Sequence, residues 1–331
     1  MRALLVAASF IAAQASGGKT PRETEGVTYQ RYSIREEPWS IHVIRIDRSQ
    51  KDLEIITTLG DGGQIGLSTM TRQLRTIPSD AGVPVAAING DFYSLERETY
   101  AGDPRGLHIM RGELISDPIV RTCVWIDSDG NPHMGEVASG FSVSWPNGEN
   151  TPFGLNEERA GNPAVLYTAA IGESTLTSGG TELILERVSP RKWLPLTAGT
   201  VFPARVREVR RGGNSPLTAD TLVLSLSSRR TPLAEKGDIL MLSTATQPSL
   251  AGVRTAIGGG PALVRNAKAA PGRAQKAYER HPRSAFGWNS KHFFFVEVDG
   301  RQPRLSVGMD VRELAEFMVQ IGCEEGMNLD G

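Results

Sequence analysis

Between Ser284 and Asp330 the hydrophobic period changes twice, and that change restricts the topology more than any other stretch of the chain. Residues 284–288 and 292–298 are short apolar runs on either side of Asn289-Ser290-Lys291, the pattern of an antiparallel hairpin. Val311, Leu314, Phe317, Met318 and Ile321 then share one face at helical spacing. Asp310 and Glu313 precede that face with the spacing of a capping box, and Gly322 stands where such a helix stops. Residues 327–329 return to strand character before Asp330-Gly331. Strand, helix and strand in this order predict a parallel pair joined by a right-handed crossover.

Parallel strands end on the same edge, so Asp299 and Asp330 are expected to face one crevice. The hairpin's first strand starts at that edge, which brings in His281-Pro282-Arg283. Ligands of such sheets favour the crevice beyond the strand carboxyl ends. Arg283 and Arg301 add two guanidiniums there. The continuous apolar run 83–88 ends in Asn89-Gly90-Asp91, which joins the set if its strand runs the same way.

Elsewhere the signal is mostly strands. Apolar and polar residues alternate over 27–29, 41–43 and 53–55. Ser68 is placed to cap a short helix reaching Arg75, with Pro78 beyond it. Arg111-Gly112 divides the hairpin 107–110 and 113–116, and 123–126 leads into the turn Asp127-Ser128-Asp129-Gly130-Asn131. From 181 to 247 strand follows strand, with Arg205, Arg207, Arg210 and Arg211 turned outward. With 36 Gly and 20 Pro in 331 residues, turns are frequent. The expected class is α+β: a β-rich mixed sheet with a C-terminal βαβ crossover and few helices. The expected organisation is a signal peptide over 1–15, an N-terminal β-rich segment over 16–83 and a main domain over 84–331.

Met1-Arg2, the apolar run 3–13 and Ala13-Gln14-Ala15 have the charge, apolar core and small-residue site of a secretory leader. Cleavage is expected after Ala15 and the location as secreted or periplasmic. No later stretch approaches the ~18 apolar residues of a membrane span. A formal net charge of −1 argues against nucleic acid as a partner, since such domains carry a basic excess. Cys123 and Cys323 are too few for a disulfide framework and read as buried apolar residues. The Asp127 turn fails as a calcium loop because Pro132 and Ala138 replace the required Gly and Glu. Gly258-Gly259-Gly260-Pro261 lacks the Gly-Lys-Ser/Thr of a phosphate loop. Ser189-Pro190-Arg191-Lys192 has no partner motif for a serine acyl-enzyme.

Taken together, Asn89-Gly90-Asp91-Phe92-Tyr93, Gly258-Gly259-Gly260-Pro261, His281-Pro282-Arg283-Ser284, Asp299-Gly300-Arg301-Gln302 and Asn328-Leu329-Asp330-Gly331 resemble the phosphodiester glycosidase family. This is the family of the N-acetylglucosamine-1-phosphodiester alpha-N-acetylglucosaminidases. Further similarity lies in Asn156-Glu157-Glu158-Arg159, Leu166-Tyr167-Thr168 and Leu305-Ser306-Val307-Gly308-Met309, so the resemblance runs from about Pro84 onward. It implies hydrolysis of the bond between a sugar's anomeric carbon and a phosphodiester oxygen. Tyr93 and Ser284 stand where relatives often carry Phe and Thr. The family pattern continues past Asn-Leu-Asp-Gly with Gly and Ser, so relative to it the chain reads as C-terminally truncated, by a Gly-rich loop and a strand.

The resemblance implies a site in which Asp91, Asp299, Asp330 and His281 are the catalytic candidates, with acid, base and nucleophile unassigned. Asn89, Gly90, Phe92, Arg283 and Arg301, with Gly258, Gly259 and Gly260 through their amides, are the substrate-binding candidates. A carboxylate pair suits glycosidic cleavage, and the planar guanidinium fork suits phosphate. No cofactor is expected, although clustered Asp would suit a divalent cation. The expected partner is a carbohydrate phosphodiester, with a surface or extracellular polysaccharide as its setting. Two alternatives stay open: a non-catalytic saccharide-binding envelope protein, and a glycosidase acting on an acidic glycan.

Overall fold

The alternating strands near the N-terminus and the hairpin near the C-terminus fold into one sheet. The computed structural model describes residues 3–7, 24–34, 38–60, 62–95, 98–159, 162–188, 193–228, 230, 232–270 and 279–331. Its first part holds β1 (Ala3–Ala7), β2 (Val27–Ile34), β3 (Trp39–Asp47), β4 (Leu53–Thr57), α1 (Met70–Thr76) and β5 (Val83–Ala87). Next come β6 (His108–Met110), β7 (Glu113–Ser116), β8 (Thr122–Ile126), β9 (Pro132–Glu136), β10 (Ala138–Ser144), β11 (Asn150–Pro152), β12 (Gly154–Leu155) and β13 (Ala164–Tyr167). The strand-rich middle gives β14 (Thr181–Arg187), β15 (Val201–Arg211), β16 (Leu222–Leu226) and β17 (Ile239–Gln247). The remainder is β18 (Thr255–Gly258), β19 (Ala262–Arg265), β20 (Lys268–Ala269), β21 (Arg283–Trp288), β22 (His292–Val298), α2 (Val311–Gln320) and β23 (Glu325–Leu329). Strands dominate and helices are few, as an α+β mixed-sheet fold requires.

Among the described residues the strands form four sheets. A seven-stranded sheet has the order β2-β3-β22-β21-β23-β19-β20, and an eight-stranded one β11-β10-β17-β15-β14-β16-β13-β12. A five-stranded sheet, β7-β6-β18-β8-β9, and a three-stranded one, β4-β1-β5, complete the set. In the first sheet β21 pairs antiparallel with both β22 and β23. The expected parallel relation between β22 and β23 therefore holds in direction, but they are not neighbours. The hairpin's own first strand occupies the place between them, because β21 offers a free edge to the returning chain.

α2 closes one face of this sheet, packing Leu314, Phe317 and Met318 against Val43, Phe294, Val296 and Val298. Its start carries the expected capping box: Glu313 N–H donates to Asp310 Oδ1 (2.7 Å) and Asp310 N–H to Glu313 Oε2 (2.8 Å). A cap of this kind stabilises by about 1 kcal/mol. The opposite face buries Ile44, Phe286, Phe295 and Leu329 against Ala86, Ile88, Val124 and Ile257. Beyond these, the eight-stranded sheet packs Leu183, Leu224 and Leu242 against Leu107, Ile109 and Leu114. Alternation on β15 turns Arg205, Arg207 and Arg211 outward.

The expected cap of α1 shifts by one residue. The N-cap of α1 is Thr69, with no side-chain capping bond. Ser68 does not cap it; its hydroxyl donates to the Thr69 carbonyl (3.3 Å). The segment 16–83 shares sheets with the rest of the chain, since β3 pairs along its whole length with β22. Cys123 and Cys323 are both buried and free, and burial pushes the Cys123 thiol up to about 12. β1 lies inside the segment read as a leader and pairs parallel with β4 and β5. The expected cleavage point at Ala15 lies outside the described residues. No helix among the described residues is long and apolar enough to cross a membrane.

Candidate active site

Pro282, at the entry to β21, sets the rim. A Cβ on Gly300 would collide with the Pro282 ring and nitrogen, and one on Gly331 with the Pro282 carbonyl. The chain ends leaving β22 and β23 therefore press on Pro282 from its two sides. Asp299 and Asp330 consequently stand on the same edge of the sheet, separated by the width of β21. At ~4.8 Å per strand spacing this is roughly 10 Å between their backbones. Asn89-Gly90-Asp91 reaches the same edge from the three-stranded sheet, and Asp330 N–H donates to the Gly90 carbonyl (2.9 Å).

Asp91 and Asp330 line a cleft of about 890 Å³ together with Asn89, Gly90, Tyr93 and His108. Asp91 Oδ1 accepts from the Phe92 amide (2.8 Å), while its Oδ2 is buried with no hydrogen-bond partner. Gly106 and Gly258 make room for that carboxyl: a Cβ on Gly106 would lie 2.9 Å from Oδ2 and one on Gly258 would overlap it. Burial pushes Asp91 up to about 6; Asp330 adds to the rise, and Arg121, the Phe92 amide and Arg105 oppose it. Asp330 is itself raised by burial, with the Gly331 amide and Arg105 acting the other way. The Arg121 guanidinium sits over the Phe92 ring, 5.3 Å from its centroid. Two carboxyl groups thus share one open space, with the proton affinity of Asp91 raised and the charges of Arg105 and Arg121 acting against that rise.

Asp299 is placed differently. Its Oδ2 lies 3.2 Å from His42 Nε2, and its amide donates to the Ser40 carbonyl. It is a second carboxylate station on the rim, on the β3–β22 side. His281 turns its ring toward Glu279, with Nε2 3.0 Å from Oε2, while its backbone pairs with Met309. Arg283 gives its Nε–H to the Met309 carbonyl (3.0 Å) and an Nη2–H to that of Glu279 (2.9 Å), bracing the segment that leads into β21. Arg301 is exposed, with a left-handed φ of 58°. Gly259 and Gly260 amides donate to Thr122 and Asn328 carbonyls, which occupies them within the fold. Asn328 returns a side-chain bond to the Gly260 carbonyl (3.1 Å), tying that loop to β23.

Four residues near these stations escape sequence reading: Arg105, Arg121, His108 and His42. The two arginines lie in loops with no motif. His42 and His108 occupy strand positions where alternation predicts only a polar or an apolar side chain. Burial pushes His108 down to about 4, so its ring is neutral, and Nε2 has no partner in the fold. Behind the cleft, burial and mutual repulsion push Asp103 up to about 8 and Glu157 up to about 7, with Asp117 raised beside them. Among the described residues, no three His, Cys, Asp or Glu side chains stand together as a metal ligand set.

Residues 209–331 match the family described as phosphodiester glycosidase. That span contains the Gly258, His281, Asp299 and Asn328 clusters, so the family resemblance holds there. A hypothetical protein from Synechocystis has a similar structure, with a TM-score of 0.71 at 19% identity over 96% of this chain. This chain spans 58% of that protein's length. A protein from Burkholderia pseudomallei K96243 follows at 0.60 and 17%, over 88% of this chain and 68% of the other. These two likenesses define the fold. The zebrafish N-acetylglucosamine-1-phosphodiester alpha-N-acetylglucosaminidase catalytic domain, auto-inhibited by its pro-peptide, aligns at 0.41 and 13% over 98% of this chain and 74% of its own, too low to support a site comparison. No curated protein matches in sequence.

Proposed function

We propose that this protein is an exported hydrolase that cleaves the anomeric bond of a glycosyl-1-phosphodiester, with a surface or extracellular polysaccharide as the natural setting. The observation that carries the reading is Asp91, a buried carboxyl with one unpartnered oxygen, in a cleft it shares with Asp330 and beside Arg105 and Arg121. The family match over 209–331 supports the same chemistry, and the leader-like N-terminus supports export.

In this reading the guanidiniums of Arg105 and Arg121 grip the phosphoryl group. Water attacks the anomeric carbon as the bond from that carbon to the phosphate oxygen breaks. The bonding pair stays on that oxygen, which takes the proton of Asp91; a pKa near that of the leaving phosphate makes the transfer nearly balanced. Asp299, on the far side of β21, faces the anomeric carbon and receives the proton of the attacking water. The products are a free sugar and a phosphomonoester.

The test uses the full-length gene product and a panel of sugar 1-(methyl phosphates) in ¹⁸O-labelled water. The expected result is release of methyl phosphate with the label in the sugar, lost in Asp91→Asn. Label in the phosphate would move the chemistry to phosphorus and overturn the proposal. Tight glycan binding without turnover, unaffected by Asp91→Asn, would assign the protein to the binding class instead.

A further inference from the structure

His42 touches Asp299 but cannot touch a substrate. Its side chain is 8% exposed, whereas that of Asp299 is 24% exposed. It is held on every side. β2 pairs with β3 so that Tyr29 faces Ile44, which puts Tyr29 on the diagonal from His42. The Tyr29 hydroxyl lies 2.7 Å from His42 Nδ1, and the two rings stack at 5.9 Å with 17° between planes. Ser40 Oγ stands 3.4 Å from Nε2 and itself accepts from an Arg31 Nη2–H (3.2 Å). From β22, Glu297 pairs directly opposite His42, and Asp299 follows on the diagonal.

The charged and titratable groups facing the ring are therefore Tyr29 and Arg31 from β2, and Glu297 and Asp299 from β22. The end of β5 contributes only Ala87 and Ile88. The space among Tyr29, His42, Ile44, Phe295, Glu297 and those two residues is about 10 Å³, at the lower limit for a single water. Burial and the Asp299 charge push Glu297 up to about 7, which leaves it uncharged in mildly acidic solution.

We infer that His42 is the positioning residue of this site: its Nε2–H holds the Asp299 carboxylate in place on the rim, and the Tyr29 hydroxyl selects that tautomer by donating to Nδ1. Which ring nitrogen carries the proton is set by the bond the other one makes, as for histidines that orient metal or catalytic groups. The inference rests on the reading of Asp299 as the carboxylate at the anomeric carbon, but its structural half stands apart from any activity.

Two measurements separate the halves. In the full-length protein labelled with ¹⁵N-histidine, the neutral His42 ring is expected to carry its proton on Nε2, and Tyr29→Phe is expected to shift it toward a tautomer mixture. A proton on Nδ1, or a spectrum indifferent to Tyr29→Phe, overturns the inference whatever the substrate. On the sugar 1-(methyl phosphate) substrates, His42→Ala is expected to lower kcat by roughly 10–100-fold with little change in KM. His42→Gln, whose amide nitrogen can stand in for Nε2–H, is expected to recover part of that loss. Equal losses in both variants, at unchanged melting temperature, would reduce His42 to a packing residue and overturn the claim. If no sugar phosphodiester is hydrolysed, the proposed function fails while the tautomer result still decides the inference.

Discussion

The backbone N–H of Asp330 donates to the carbonyl of Gly90 across 2.9 Å. One residue ends a strand of the seven-stranded sheet and the other follows a strand of the three-stranded sheet. That single bond holds two loops from different sheets in register at the cleft. It also brings the Asp330 and Asp91 carboxyls within electrostatic reach of each other, which is why Asp330 adds to the raised proton affinity of Asp91.

The pH profile should report that coupling. With Asp91 acting in its protonated form, turnover falls as pH rises through about 6. Asp330→Asn removes a charge that raises Asp91, so the limb moves to lower pH. Arg121→Gln removes one that lowers it, so the limb moves to higher pH and KM rises with the loss of a phosphate grip. Rate–pH curves for the three proteins check all three directions; shifts of the same sign in both variants would contradict the assignment.

Asp91 also makes a stability statement. Its folded pKa of about 6 lies above the ordinary value of 3.8, so the folded state binds its proton more tightly than the unfolded one. The resulting contribution is present at low pH and lost as pH climbs through about 6. Asp91→Asn should therefore stabilise the protein at pH 8 by about 3 kcal/mol and change little at pH 4. Thermal melts at the two pH values give the comparison.

The same sign applies to the acidic group behind the cleft. Asp103 at about 8 and Glu157 at about 7 keep their protons when folded. Wild-type stability should decline between pH 5 and 8, and Asp103→Asn should flatten that decline. A melting temperature that rises over this range would contradict the burial argument.

Gly258 is predicted to tolerate no side chain. Its Cβ would overlap Asp91 Oδ2, so Gly258→Ala must displace either the carboxyl or β18. Activity should fall at least tenfold, with a loss of stability in the range of about 1–3 kcal/mol for an overpacked site. Normal activity in this variant would show that the Asp91 carboxyl is free to move.

β1 pairs with β4 and β5 on its two sides. A chain that starts near Ser16 leaves the facing edges of those strands without this partner, and open edges invite association. Compared with the 1–331 chain, the 16–331 chain should melt lower and aggregate sooner on heating, as light scattering would record. Equal behaviour would mean that the seat is filled from elsewhere or needs no strand.

Much of this architecture was legible before any coordinates. The capping spacing of Asp310 and Glu313, and the face formed by Leu314, Phe317 and Met318, announce α2 because helix periodicity and capping are local. The hairpin 284–298 and the run 83–88 are legible for the same reason. The expectation that Asp299 and Asp330 face one crevice holds for the edge they share, where strand direction follows from connectivity, while the cleft there is lined by Asp330 and not by Asp299. It missed that β21 lies between their strands, since neighbour choice depends on which edge is free.

The site divides in the same way. Sequence alone determined which segments become strands, where the capped helix falls, and that aspartates end the strands at one rim. These follow from short-range pattern and chain direction. Only the tertiary structure decided that Arg105 and Arg121 attend Asp91, that Arg283 and His281 spend their bonds on neighbouring segments, and that His42 holds Asp299. Those pairings join residues far apart in the chain, up to 257 positions in the case of His42 and Asp299. Burial and approach distance choose among equally polar candidates, and both exist only after the sheets have packed.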